Sequence, residues 1–194
     1  MLGEALAIAG IETLLTREPG GSPGAEQIRR LLVEGEVGRW DARTEALLHF
    51  AARRDHLNKT VWPALNAGRW VVSDRFADST VAYQGFGHGL DREFLDALYR
   101  HVVGDFRPDL TLILDLPVET GLARARAKSP DRNHGEDRYE RMDTGFHQRL
   151  RDGFLAIAAA EPDRCVVITA MGEADDVQAR IRAAVNQRLG SKLR

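Results

Sequence analysis

Short apolar runs alternate along the chain with longer segments whose apolar residues recur every three to four positions. Trp70-Val71-Val72, after the turn-forming Ala67-Gly68, and Leu110 to Leu114, ending at Asp115, read as strands buried on both faces of a parallel sheet. Ile11 to Thr16 and Cys165 to Thr169 are further strand candidates. Helical spacing marks Met1 to Ile8, with Gly10 as its stop, then Ala25 to Leu32, Asp91 to Val103, Pro117 to Ala127, Asp143 to Ala160 and Glu173 to Leu189. A long helix capped by Asp41 or Thr44 carries Ala46, Leu47, Phe50, Ala51 and Leu57 as its apolar stripe, which Arg53, Arg54 and His56 interrupt. Strands alternating with helices predict an α/β fold around a parallel sheet, and 194 residues suit a single domain.

Charge narrows the function. The 27 basic and 29 acidic residues leave a formal net charge of -2, so no global field recruits a nucleic acid polymer or an anionic membrane, and any anion site must be local. The single cysteine, Cys165, lies in an apolar run and reads as a buried thiol in a reducing compartment; no cluster of cysteines offers a metal site. No apolar run approaches the ~20 residues of a membrane span, and no basic region precedes an apolar core at the N-terminus, so the expected location is the cytoplasm.

Candidate chemistry collects where strands end. Ser73-Asp74-Arg75 follows the Trp70 strand on the edge where open α/β sheets place ligands, and an acid beside an arginine there suits a metal and a phosphate, or else a surface ion pair. Beyond it, Ser79, Thr80, Tyr83 and Gln84 share one helical face, bringing hydroxyls, an aromatic ring and an amide to what reads as a base-and-sugar pocket. Arg17 and Glu18 stand at another strand-to-loop junction, before Pro19-Gly20-Gly21. Phe50 and Arg54, four apart, offer a ring and a donor fork to a nucleobase; individually they read as a core aromatic and a solvated arginine. The polar segment from Arg124 to Arg138, with Arg126 and Arg132 inside it, reads as a loop able to close over phosphates, or as solvated surface.

In this order, Thr16-Arg17-Glu18-Pro19-Gly20-Gly21, Phe50 with Arg54, Asp74-Arg75-Phe76, Ser79-Thr80 with Tyr83-Gln84-Gly85, Leu114-Asp115-Leu116-Pro117 and Asp137-Arg138-Tyr139-Glu140 make the chain resemble the bacterial-type thymidylate kinases over essentially its whole length. The resemblance implies a three-layer P-loop nucleotide kinase fold with a lid at about 127–139, acting on dTMP and ATP with Mg²⁺ to give dTDP and ADP, as a homodimer. It implies that Phe50 stacks on thymine, Arg54 bonds its edge, Thr80 and Gln84 read the base, and Tyr83 packs by the sugar. Arg75 would hold the dTMP phosphate, Asp74 would lie near the magnesium, and Arg17, Glu18 and Pro19 would line the cleft. Arg124, Arg126, Arg132 and Arg138 would meet the donor phosphates, Tyr139 and Glu140 the acceptor side, and Ala170 the adenine.

One family feature has no counterpart. No stretch matches the Gly-rich loop ending in Gly-Lys-Ser/Thr, and Met1 aligns part-way along the helix that follows it. The first strand and phosphate loop are therefore expected to be absent, which leaves three readings: a kinase whose start has been misplaced, a catalytically silent nucleotide-binding relative, or a kinase with another donor site.

Overall fold

A computed structural model describes residues 1–128, 138–139 and 141–193, with the side chains of 126 and 128 excepted. The elements run α1 (Leu2–Ile8), β1 (Thr13–Arg17), α2 (Pro23–Val33), α3 (Ala42–His56), α4 (Trp62–Asn66), β2 (Trp70–Asp74), α5 (Ala77–Thr80), α6 (Arg92–Val102), β3 (Thr111–Asp115), α7 (Val118–Lys128), α8 (Thr144–Ala160), β4 (Cys165–Thr169) and α9 (Ala174–Leu189).

The strands form two parallel pairs, and among the described residues no ladder joins one pair to the other. Thr13 to Arg17 runs beside Trp70 to Asp74 with Arg17 opposite Asp74, and Thr111 to Asp115 beside Cys165 to Thr169 with Asp115 opposite Thr169. Each strand enters a helix at its carboxyl end, so Arg17, Asp74 and Asp115 all come to the edge where such sheets bind ligands. Among the described residues no helix is long and apolar enough to cross a membrane.

Asp41 caps α3, its carboxylate accepting from the Thr44 amide at 2.8 Å. The α3 helix continues through a π-helical turn, Leu57–Val61, into α4. Pro63 in the first turn of α4 has no N–H to offer the preceding turn, and the i→i+5 pattern sits where the regular ladder is broken. A second π-helical segment, Val81–Gly87, extends α5. It lies against α8 through a reciprocal fit: a Cβ on Gly87 would come within 2.6 Å of the Phe146 ring, and one on Gly153 within 2.6 Å of Phe86. That contact seats Phe146 in a core cluster with Ala82, Ile113, Leu150 and Ile157. A second cluster, with Ala46, Phe50, Leu57, Val61 and Leu95, packs α3 against α6; the third joins α1 to α9 through Leu6 and Val185.

The apolar stripe read for α3 is rotated relative to its true inward arc. Leu47 and Ala51 point to solvent, whereas Glu45, Ala46, Phe50, Ala52, Arg53 and His56 are buried. Polar side chains inside the helix's buried face set its phase.

Candidate active site

Glu45, His49, Arg53 and His56 follow one another along α3 at four-, four- and three-residue steps, so they form one stripe, whose Arg53 and His56 end meets the end of β1. At its far end stands Glu18, whose backbone N–H bonds the Asp74 carbonyl at 2.9 Å and so extends the β1–β2 pairing by one residue. The peptide bond from Glu18 to Pro19 is cis.

Glu18 is 5 % exposed and holds two basic groups at once. Its Oε2 accepts from Arg53 Nε at 2.8 Å and its Oε1 from His56 Nδ1 at 3.0 Å. The other imidazole nitrogen pairs with the Thr16 hydroxyl at 2.7 Å, and Arg53 Nη2 donates to Thr80 Oγ1 at 3.1 Å. A chain of polar contacts thus runs from β1 through α3 to α5. Gly21 closes over it with φ +81°, and a Cβ there would collide with the Thr16 hydroxyl and the His56 ring.

A second network surrounds Glu45. Its Oε2 accepts from Gln84 Nε2 at 2.9 Å and from the Tyr139 hydroxyl at 3.2 Å, while Oε1 pairs with Arg138 Nη2. His88 Nε2 lies 3.7 Å away. Between the two networks sits His49, half-buried, its Nε2 3.4 Å from the Tyr139 hydroxyl. Burial, and then the charges of Arg53, Arg75 and Arg138, push its imidazole down to about 3, so the ring is neutral at physiological pH. Burial and the Glu45 carboxylate raise the Tyr139 phenol.

Two buried atoms in these networks have no partner among the described residues: the donor Arg53 Nη1 and the acceptor Gln84 Oε1. Thr80, which holds Arg53, and Gln84 are one helical turn apart. One unmet donor and one unmet acceptor therefore lie on side chains linked through Thr80 and its helix, each costing free energy unless a partner supplies its complement.

Arg75, after β2, adopts φ 70°, and its guanidinium lies 5.0 Å from the centre of the Tyr83 ring. Tyr83 in turn meets Tyr139 edge to face at 5.1 Å. Exposed Asp74 and Arg17 border a cleft of about 580 Å³ with Thr16, Gly21 and Glu26, and Arg17 pairs with Glu26 at 3.1 Å. Arg75 and Tyr83 also open into a space of about 400 Å³ that reaches Asp115, whose carboxylate receives two bonds from Arg151, at 2.7 and 2.9 Å; those bonds hold it below the usual carboxylate range. Among the described residues no three His, Cys, Asp or Glu side chains gather as a protein-only metal cage.

Several expectations change. Arg54, one turn beyond Phe50, is turned away from it: it is exposed, donates to the Val102 carbonyl at 3.0 Å and lies over Trp62. Phe50 is a core residue, 3 % exposed, and the guanidinium over its ring, at 4.7 Å, belongs to Arg53. Adjacent helical residues point ~100° apart, and the inward one is Arg53. Arg138 is not a free lid arginine: it is 3 % exposed, and the Leu32 and Glu36 carbonyls together with Glu45 occupy its three nitrogens. Arg124 donates to the Ala170 carbonyl at 2.9 Å and that of Gly172 at 3.3 Å, which ties the end of β4 to α7. Pro19 is half-buried, its carbonyl accepting from Arg29 at 2.9 Å, and Ser79 is half-buried beside Thr80. Arg132, Glu140 and all but the ends of the expected lid lie outside the described residues, as does the side chain of Arg126.

The sequence pattern assigned no site role to Glu45, His49 or Arg53. Their signal was present as polar residues at four-residue spacing beside the apolar positions Ala46 and Phe50.

Comparison with known proteins follows the same direction. The family model described as Thymidylate kinase matches residues 1–181. The thymidylate kinase of Caulobacter vibrioides is 53% identical over 189 residues, covering 97% of this chain and 88% of its own. That of Afipia carboxidovorans is 48% identical over 196 residues, covering 100% and 84%. The crystal structure of thymidylate kinase from Ehrlichia chaffeensis aligns with a TM-score of 0.73 at 33% identity, over 95% of this chain and 88% of that one.

Proposed function

Because the chain belongs to the thymidylate kinase family, we propose that it transfers the γ-phosphoryl group of ATP to dTMP, giving dTDP and ADP. The observation that carries this reading is the pair of unmet buried atoms, Arg53 Nη1 and Gln84 Oε1. Thymine presents an acceptor, O4, next to a donor, N3–H, and this is the complement of that pair. Cytosine presents donor then acceptor and would set like against like.

Arg53 takes the role expected of Arg54, bonding the base edge while Glu18 and Thr80 hold its other nitrogens. The neutral His49 ring, rather than the core residue Phe50, offers the flat surface beside the base. Tyr83 borders the sugar, and Arg75, braced over its ring, takes the phosphate. Arg17, Glu18 and Pro19 wall the cleft. Arg124, in α7, and the neighbouring Ala170 face the donor nucleotide.

Asp74 is the carboxylate suited to Mg²⁺, which commonly takes one or two carboxylates plus substrate phosphates rather than a protein-only cage; the exposed position of Asp74 at the cleft fits that donor set. Bound there, the ion would neutralise charge on the transferring phosphates. The chain's own contribution is positioning and charge: Arg75 aligns the acceptor phosphate oxygen for in-line attack, and no covalent intermediate is needed.

The relatives' shared kinase name favours this over a silent nucleotide-binding role. We also expect a homodimer, which the exposed Leu47 on α3 supports. The test is a coupled assay of ADP release with ATP, Mg²⁺ and dTMP. Release that depends on dTMP and is far slower with dCMP supports the reading; equal rates with the two nucleotides would refute the assignment of the base.

A further inference from the structure

We propose that Glu45 is a specificity-setting positioning residue, which fixes the side-chain amide of Gln84 so that an acceptor rather than a donor faces the nucleobase. The inference rests on the reading of the cleft as a dTMP site, and it concerns a residue that touches no substrate.

A glutamine amide offers either a donor or an acceptor to a ligand, and nothing in its shape selects between them. Gln84 is 0 % exposed, so its choice is made by its neighbours. Its Nε2 sits 2.9 Å from Glu45 Oε2. An ionised carboxylate can only accept, so the NH₂ group must turn toward Glu45 and the carbonyl oxygen must turn away. That oxygen is the one buried without a partner. Its polarity is thus set from behind, before any ligand arrives.

Glu45 is itself held as an acceptor. It too is 0 % exposed, and every group that faces it can donate: Gln84 Nε2, the Tyr139 hydroxyl, Arg138 Nη2, and His88 Nε2 at 3.7 Å. Arg138 provides the balancing charge and reaches Glu45 across 93 residues of sequence. The network therefore pins one buried amide in one of its two orientations, and that orientation matches thymine N3–H and opposes cytosine N3.

The experiment measures calorimetric affinities of dTMP and dCMP for the full chain, without ATP, so that binding is read apart from phosphoryl transfer. One mismatched buried hydrogen-bonding group is worth about 5- to 150-fold. Wild-type protein should favour dTMP by at least about 25-fold across the two mismatched positions. In Glu45→Gln the residue at 45 can donate as well as accept, which frees Gln84 to turn over. The dTMP/dCMP ratio should then fall about fivefold or more, chiefly through tighter dCMP binding. A residue with a merely structural role would weaken both ligands alike and leave the ratio in place.

The exchange E45Q/Q84E returns an obligate acceptor to position 84 and should restore the ratio. A ratio unchanged in Glu45→Gln, or not restored in the exchange, overturns the inference. Should neither variant fold, the wild-type protein still decides: the Gln84 side-chain NH₂ should be slow to exchange with solvent both with and without dTMP, and rapid exchange overturns it. A wild-type protein that binds dCMP as well as dTMP would instead defeat the underlying reading of the base site.

Discussion

The guanidinium of Arg53 lies 4.7 Å from the centre of the Phe50 ring, at three-residue helical spacing, while Arg54 projects onto Trp62. Two adjacent arginines therefore have unrelated duties. Arg53 is 2 % exposed and bound to Glu18, which is 5 % exposed; removing it would strand a buried carboxylate. Arg53→Ala is expected to cost about 3–5 kcal/mol of stability and to abolish measurable dTMP binding. Arg54→Ala removes an exposed contact and should cost no more than about 1 kcal/mol, leaving dTMP affinity unchanged. Chemical denaturation and calorimetric titration of both variants would check this; equal loss of affinity in the two would exclude Arg53 as the base-edge residue.

Gly21 supports the same network from above. At φ +81° a side chain is strained, and here a methyl group would also displace the Thr16–His56 contact. Gly21→Ala should lower stability by about 2 kcal/mol or more, from strain of about 1 kcal/mol plus the broken, partly buried bond. Urea unfolding checks it, and a loss under 0.5 kcal/mol, roughly the size of an ordinary surface substitution, would mean that the loop relaxes freely.

Arg75 carries the reverse trade. It holds φ 70°, a conformation that costs a non-glycine residue about 1–2 kcal/mol and that recurs at functional sites. Arg75→Gly should leave the melting temperature unchanged or raise it, while dTMP affinity falls by about 100-fold or more through loss of a phosphate contact. Thermal melts beside titrations with dTMP and with thymidine separate the effects, since thymidine has no phosphate to lose. A parallel drop in thymidine affinity would show that Arg75 shapes the base pocket instead.

The alternation of elements was legible because strand and helix periods differ. Cys165–Thr169 and the helix that ends at Leu189 fall where the apolar pattern put them. The angular phase of α3 was not, since its buried arc includes Glu45, Arg53 and His56, which a hydrophobicity pattern assigns to solvent. Their burial is possible only because Glu18, Thr80, Gln84 and Arg138 arrive from distant segments to pair with them. The motif Asp137-Arg138-Tyr139 placed an arginine near the site, but local sequence carries no sign that the Leu32 and Glu36 carbonyls would occupy it. Residue types at strand ends announced the chemistry; the partners, 27 to 106 residues away in the chain, decided which side chains remain free to perform it.

His49 makes the site's acid response predictable. Burial first, and the nearby arginines second, bring its folded-state pKa down to about 3, whereas in the unfolded chain it titrates near 6.5. Below pH ~6.5 the unfolded state therefore binds a proton that the folded state refuses, and stability should fall as the pH drops from about 6.5 toward 3. Burial also lowers His88, against the pull of Glu45, so it acts in the same direction. His49→Gln removes the larger contribution while keeping a neutral polar side chain. Its melting temperature should decline less between pH 7 and pH 5 than that of the wild-type protein, with the two curves converging in slope above pH 7. If the two proteins lost stability in parallel across that range, the imidazole would be charging freely in the folded state, and the neutral ring assigned to the base pocket would be wrong.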